Sequence, residues 1–113
     1  MNQLRNKVQL IGHAGINPEI KSTASGKKLA KFSLATKESF KSKEGDRQIN
    51  TQWHNLVLWG KQASIAEKFI QKGSEIAIEG KLNNRSYITP TGEKKFISEV
   101  IVTDIMFMAK KAA

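Results

Sequence analysis

Four flat side chains and a crowd of cations are the residues of this chain that could do chemistry. Trp53 and Trp59 stand in QWHNLVLWGK (52–61) and are the only tryptophans. Phe40 lies in KESFKSK among Lys37, Lys41 and Lys43, and Tyr87 follows Arg85 by two residues. Their chemistry is noncovalent: an open aromatic face stacks on another flat π-system, and a nearby ammonium or guanidinium holds an anion. Side chains on a strand alternate faces, so Trp53, Asn55, Val57 and Trp59 share one face while His54, Leu56 and Leu58 take the other. The leucines are natural core residues, which turns both indoles outward and asks what covers them. Trp59, next to Gly60 at a strand end, is the more structural of the two. Phe40 has no apolar stripe to join and reads as a surface ring, whereas Phe32, Phe69, Phe96 and Phe107 fit stripes and are expected in the core.

Covalent chemistry has little to stand on. His13 and His54 are the only histidines, there is no cysteine, and neither histidine lies in a zinc-binding spacing. GKQAS (60–64) is not a phosphate loop, and the ten acidic residues form no pair suited to acid–base or two-metal work. The expectation is therefore no enzyme, no metal and no cofactor. His54, on the leucine side of its strand, reads as a buried or interface histidine with a satisfied hydrogen bond.

The elements that must position these residues are mostly strands. NKVQLIG (6–12) alternates Val8 and Leu10 against Lys7 and Gln9, and Gly12, Gly15 and Pro18 then mark a bulge or turn. KLAKFSLAT (28–36) puts Ala30, Phe32 and Leu34 on one face. KSKEGDRQIN (41–50) is polar and reads as a mobile loop before the strand of the tryptophans. In KQASIAEKFIQK (61–72) the apolar spacing turns helical, with Gly73 as the stop. EIAIEGKL (75–82) is a strand again, and the chain from there to Val102 predicts a long hairpin turning at Thr-Pro-Thr-Gly (89–92). Three strands, one helix and two strands predict an all-β protein: a five-stranded barrel, the OB-fold, with its helix between strands 3 and 4 and a long strand 4–5 hairpin.

Composition sets the class. A chain of 113 residues with 39% hydrophobic residues makes one domain with a modest core. We expect it over residues 1–108, followed by a short basic end at 109–113. No stretch is long and apolar enough for a bilayer span or a secretory signal, and the lack of cysteine suits a reducing cytoplasm. Nineteen Lys and Arg against ten Asp and Glu give a formal charge of +9, which points to a polyanionic partner. The alternatives are a merely soluble basic surface or a structural, protein-interaction β-domain.

Five stretches carry a family likeness in order and spacing: NKVQLIGHAGINPE, KFSLATKESF, QWHNLVLWGK, AEKFIQKGSEIAIEGKL and NRSYITPTGE. From about residue 5 to residue 108 the chain resembles the bacterial single-stranded DNA-binding proteins, OB-fold proteins of replication, recombination and repair. The resemblance implies sequence-nonspecific binding of single-stranded DNA and places the family's stacking rings on Phe40, Trp53, Trp59 and Tyr87. Many members carry Trp at the first and last of these positions and Phe at the third. Phosphates are expected to follow Lys7, Lys31, Lys37, Lys41, Lys43, Arg47, Lys61, Lys81, Arg85 and Lys94. His54 matches a histidine associated with subunit contacts, and a homotetramer in the bacterial cytoplasm, at the nucleoid, is implied. Family members usually continue into a flexible linker with an acidic, apolar tip that recruits other proteins. This sequence ends in MFMAKKAA, so partners that depend on such a tip are not expected. A primosome-type accessory OB protein and an RNA-binding OB domain are the alternative readings.

Overall fold

The computed structural model describes residues 3–108; the expected basic end at 109–113 lies outside them. After a 3₁₀ turn at Gln3–Asn6 come β1 (Val8–Ala14), β2 (Glu19–Ser22), β3 (Lys28–Lys41), β4 (Arg47–Trp59), helix α1 (Lys61–Phe69), β5 (Glu75–Ile88) and β6 (Lys94–Phe107). The strands run in the order β1-β5-β6-β4-β3-β2, and β1 closes the ring by also pairing with β3. β1 and β2 are two halves of one bent strand. β1 meets β3 at His13–Ala35 and Ala14–Leu34, and β2 resumes the antiparallel pairing at Glu19–Lys31 after the bulge over Gly15–Pro18. Counted that way, the barrel has five strands with the helix after the third, as the alternation predicts. β4 and β6 meet in parallel at Leu56–Val100 and Val57–Ile101.

The core holds Ala30, Phe32 and Leu34 of β3, Leu56 and Leu58 of β4, Ile76 and Ile78 of β5, and Val100 and Val102 of β6. All occupy even positions, so one pleat face of every strand turns inward. Two glycines let the strands cross closely: a Cβ on Gly12 would fall 2.1 Å from the Ala35 carbonyl oxygen, and one on Gly80 would fall 2.2 Å from that of Ile101. The helix plugs the barrel with Ala63, Ala66 and Ile70, spaced three and four residues apart. It ends three residues earlier than the sequence spacing suggests, because Ile70 turns extended while its N–H still donates to the Ala66 carbonyl. No helix among the described residues is long and apolar enough to cross a membrane.

Two expectations are corrected. Residues 41–50 are not a long loop: β3 runs to Lys41 and β4 starts at Arg47, leaving a turn closed by Ser42 N–H on Asp46 O at 2.8 Å. This end of the hairpin projects past the barrel with both faces in solvent, so its backbone ladder needs no apolar alternation. Of the four phenylalanines expected in the core, only Phe32 is there. Phe69 lies on the open side of α1, where it meets Phe107 edge-on at 6.0 Å, and both remain exposed. Phe96 has the inward parity but sits on the projecting part of the β5–β6 hairpin, beyond the core, and is 76% exposed. The hairpin turn itself forms where expected, with Gly92 N–H on Thr89 O at 2.9 Å.

Candidate nucleic-acid interface

β3 and β4 pair without a slip from Leu29–Trp59 to Lys41–Arg47. Opposed residues share a face, so Lys31, Ala35, Lys37 and Lys41 look outward with Val57, Trp53, Thr51 and Arg47. Through the β4–β6 pairing this surface continues onto Ile97, Glu99 and Ile101 of β6, and then onto Lys81, Arg85 and Tyr87 of β5. Where the β3–β4 and β5–β6 hairpins diverge, a groove of about 350 Å³ opens, lined by Lys31, Ser33, Asn55, Arg85, Ile97 and Glu99 among others.

Trp53 stands beside this groove and is 62% exposed, unusual for an indole in a chain with a formed core. Its six-membered ring lies against Gly15, where Ser33 Oγ also approaches. Trp59 shares the face but is half-buried at the end of β4, with the Lys27 ammonium 5.4 Å from the ring centroid. Tyr87 projects from β5 opposite Lys95 and is about half exposed. Phe40 is equally exposed but opposes Gln48, which gives it the parity of Phe32 and Leu34. The register thus sets Phe40 on the other side of the hairpin from Trp53, near its tip.

The cations divide in the same way. Lys37, Lys41 and Arg47 share the Trp53 face, Lys43 lies in the turn beyond them, and Lys31 lines the groove. Among the described residues none of these five is in an ion pair. Lys81 opposes Ile101 on the same surface. Arg85 is already engaged: its Nε donates to Glu99 Oε1 at 2.9 Å, which orients the guanidinium across the groove. Lys94 opposes Ile88, of inward parity like Phe40, and its ammonium lies 5.6 Å from the Phe96 ring. Lys61 opens α1, two residues after Trp59. Lys7 lies elsewhere, paired with Glu79 at 3.2 Å beside β1 and β5. His54 opposes Leu34 on the inward side, and its Nε2 is 2.9 Å from Thr36 Oγ1.

Sequence reading missed Glu99 as part of this surface. It is 6% exposed and also accepts a hydrogen bond from Asn83 Nδ2 at 3.4 Å. Its odd parity with Ile97 and Ile101 was the available signal. Among the described residues no cluster of His, Cys, Asp or Glu could hold a metal ion. What the surface can do is stack flat rings and hold anions.

Known proteins resemble this chain in fold and in sequence. A structure described as a Plasmodium falciparum SSB in complex with ssDNA superposes with a TM-score of 0.83 at 32% identity, covering 92% of this chain and 95% of that one. The single-stranded DNA-binding protein 1 of Chlorobaculum tepidum is 45% identical over 107 residues, 94% of this chain; the chain spans 66% of that relative's length. A model of the single-strand binding protein family matches residues 5–108. On that match, which spans the whole barrel and the face just described, the chain belongs to the single-strand binding protein family.

Proposed function

We propose that this chain binds single-stranded DNA with little sequence preference, shields it and holds it open for replication, recombination and repair. The observation that carries the reading is Trp53, an indole 62% exposed on a barrel face where Lys31, Lys37, Lys41, Lys43 and Arg47 are in no ion pair among the described residues. Every base has a π-face, so a ring beside cations binds single strands without reading sequence. Trp53 is the central platform, Trp59 and Tyr87 extend it along the same face, and Phe40 takes a base where the strand rounds the hairpin tip. Lys31, Lys37, Lys41, Lys43, Arg47, Lys81 and Arg85 follow the phosphates. The family relationship supports the same reading.

The working unit is a homotetramer in the bacterial cytoplasm. Two features support assembly. Among the described residues Val8–Gly12 of β1 pair on one side only, with β5, which leaves a strand edge open. Beside it, Ile11 (59% exposed), Ala77 and Met106 (64% exposed) line a mostly aliphatic groove of about 670 Å³. His54, on the opposite face of β4 from Trp53, sits at or near a subunit contact.

The experiment is a titration of the full chain with polythymidine, a matching duplex and a single-stranded RNA at two salt concentrations, read by indole fluorescence. Quenching by the single-stranded DNA, weakened by salt and much smaller with the duplex, is expected. Equal binding to duplex and single strand would remove the stacking mechanism, and tighter binding of RNA would reassign the partner.

A further inference from the structure

We propose that Gly15 is a positioning residue for Trp53: its bare Cα is the seat that fixes the indole in the attitude in which it meets a base. The inference rests on the single-strand reading above and adds a residue that touches no nucleotide in it. A Cβ built on Gly15 would fall 2.5 Å from Trp53 Cζ3, 3.1 Å from Cη2 and 2.9 Å from Ser33 Oγ. Contacts under 3.0 Å force something to move, so an alanine here and the present indole position exclude one another. Glycine is not required by the backbone at this point, because Gly15 is not among the five glycines with positive φ. The space is what needs it.

The backbone cannot retreat. Gly15 N–H donates to Ser33 O at 2.8 Å, Ala14 N–H donates to Ser74 O at 2.9 Å, and Gly73 N–H donates to Ala14 O at 2.8 Å. Asn17 Oδ1 accepts the Lys72 N–H at 2.7 Å and ties down the far side of the bulge. With four hydrogen bonds holding the loop, the indole is the part free to yield. The remaining neighbours are small as well: Ser33 Oγ borders the same space beside Gly15, and Ala35, the cross-strand partner of Trp53, is 6% exposed although it faces outward. Gly15, Ser33 and Ala35 thus form a shallow seat that leaves the opposite side of the ring to solvent. A ring already held there loses less freedom when a base lands on it.

The test is a double-mutant cycle on polythymidine affinity, using Gly15→Ala in the wild-type chain and in Trp53→Phe, which lacks the outer ring atoms Cζ3 and Cη2. Gly15→Ala should weaken binding by about 3- to 10-fold with Trp53 present and by less than about 2-fold in the Trp53→Phe background, since one immobilised side chain accounts for an effect of that order. The emission maximum of the free protein should also move in Gly15→Ala, because the indole leaves its seat. Equal losses in both backgrounds, or none in either, overturn the positioning role. If Gly15→Ala fails to fold only where Trp53 is present, the clash is with the indole and the assignment stands; failure in both backgrounds overturns it. Trp53→Ala, run alongside, separates the two levels: undiminished binding by that variant defeats the stacking reading itself.

Discussion

The barrel wall carries two open faces, and the less roomy one has the better chemistry for a nucleic acid. The face across β3, β4, β6 and β5 holds a groove of about 350 Å³, an exposed indole, and cations with no acidic partner among the described residues. The face across β1, β5 and β6 holds a groove of about 670 Å³ lined largely by aliphatic side chains, with Glu79 and Asp104 at its border and Lys7 already paired to Glu79. A phosphodiester chain needs uncompensated positive charge and flat surfaces. The second face offers neither, and its apolar area with an open strand edge suits another copy of the same surface.

The comparison breaks most visibly if the second face is charged. Ile11→Glu combined with Met106→Glu would put four or more carboxylates into an interface between copies, where each unpaired buried charge costs about 3–5 kcal/mol. Light scattering should then report a smaller species, with thermal stability of the protomer nearly unchanged because both residues are exposed. A single protomer's affinity for a short oligonucleotide should persist. An unchanged mass would mean that copies meet elsewhere.

On the first face the largest single effect should come from Trp53→Ala. Loss of one stacked base is worth about 1–3 kcal/mol, or roughly 5- to 150-fold in affinity. Trp59→Ala should cost less binding and more stability, since its ring is half-buried and packed beneath Lys27. If the two variants reverse this order, Trp59 is the principal platform.

Much of this geometry was legible in the chain, and the errors share a cause. Period-two alternation set Leu56 and Leu58 inward and Trp53 outward, because one side of β4 is buried and the other is not. Alternation gives the face, not the point along the strand where the barrel stops. Phe96 has inward parity and so reads as core, yet it projects past the core into solvent; Phe40 has the same parity and ends across the hairpin from Trp53. The polar residues after Lys41 read as loop for the converse reason, since a hairpin with two wet faces has no hydrophobic period. Parity put Glu99 on the outward face but could not show that Arg85 and Asn83 would cover it, and the seat under Trp53 was illegible because Gly15, Ser33 and Ala35 reach the indole from other strands.

A smaller effect should separate the two faces by salt. On single strands the log–log slope of affinity against salt is about −0.7 per phosphate contacted. Replacing Lys37, Lys41 and Arg47 together by Ala should flatten the slope by about 2, while Lys7→Ala should leave it alone. Equal flattening by Lys7→Ala would place phosphate on the β1 side and merge the two faces into one path.

The smallest effect tests whether the second face is electrostatically self-contained. Hydrogen bonds from Gln9 and Lys7 to the Glu79 carboxylate hold its pKa below the ordinary glutamate value. A carboxyl whose folded pKa is depressed stabilises the fold fully above its unfolded pKa, and that contribution disappears as the pH falls through the lower, folded value. Thermal stability of the wild type should therefore fall through this acid window, and Glu79→Gln should remove that part of the pH dependence while scarcely changing stability at neutral pH, because the pair is exposed and screened. Polythymidine affinity of Glu79→Gln should match wild type at neutral pH, since the Lys7 ammonium it releases faces away from the Trp53 groove. A gain in affinity would show that Lys7 reaches the nucleic acid once freed, and that Glu79 acts to keep it from doing so.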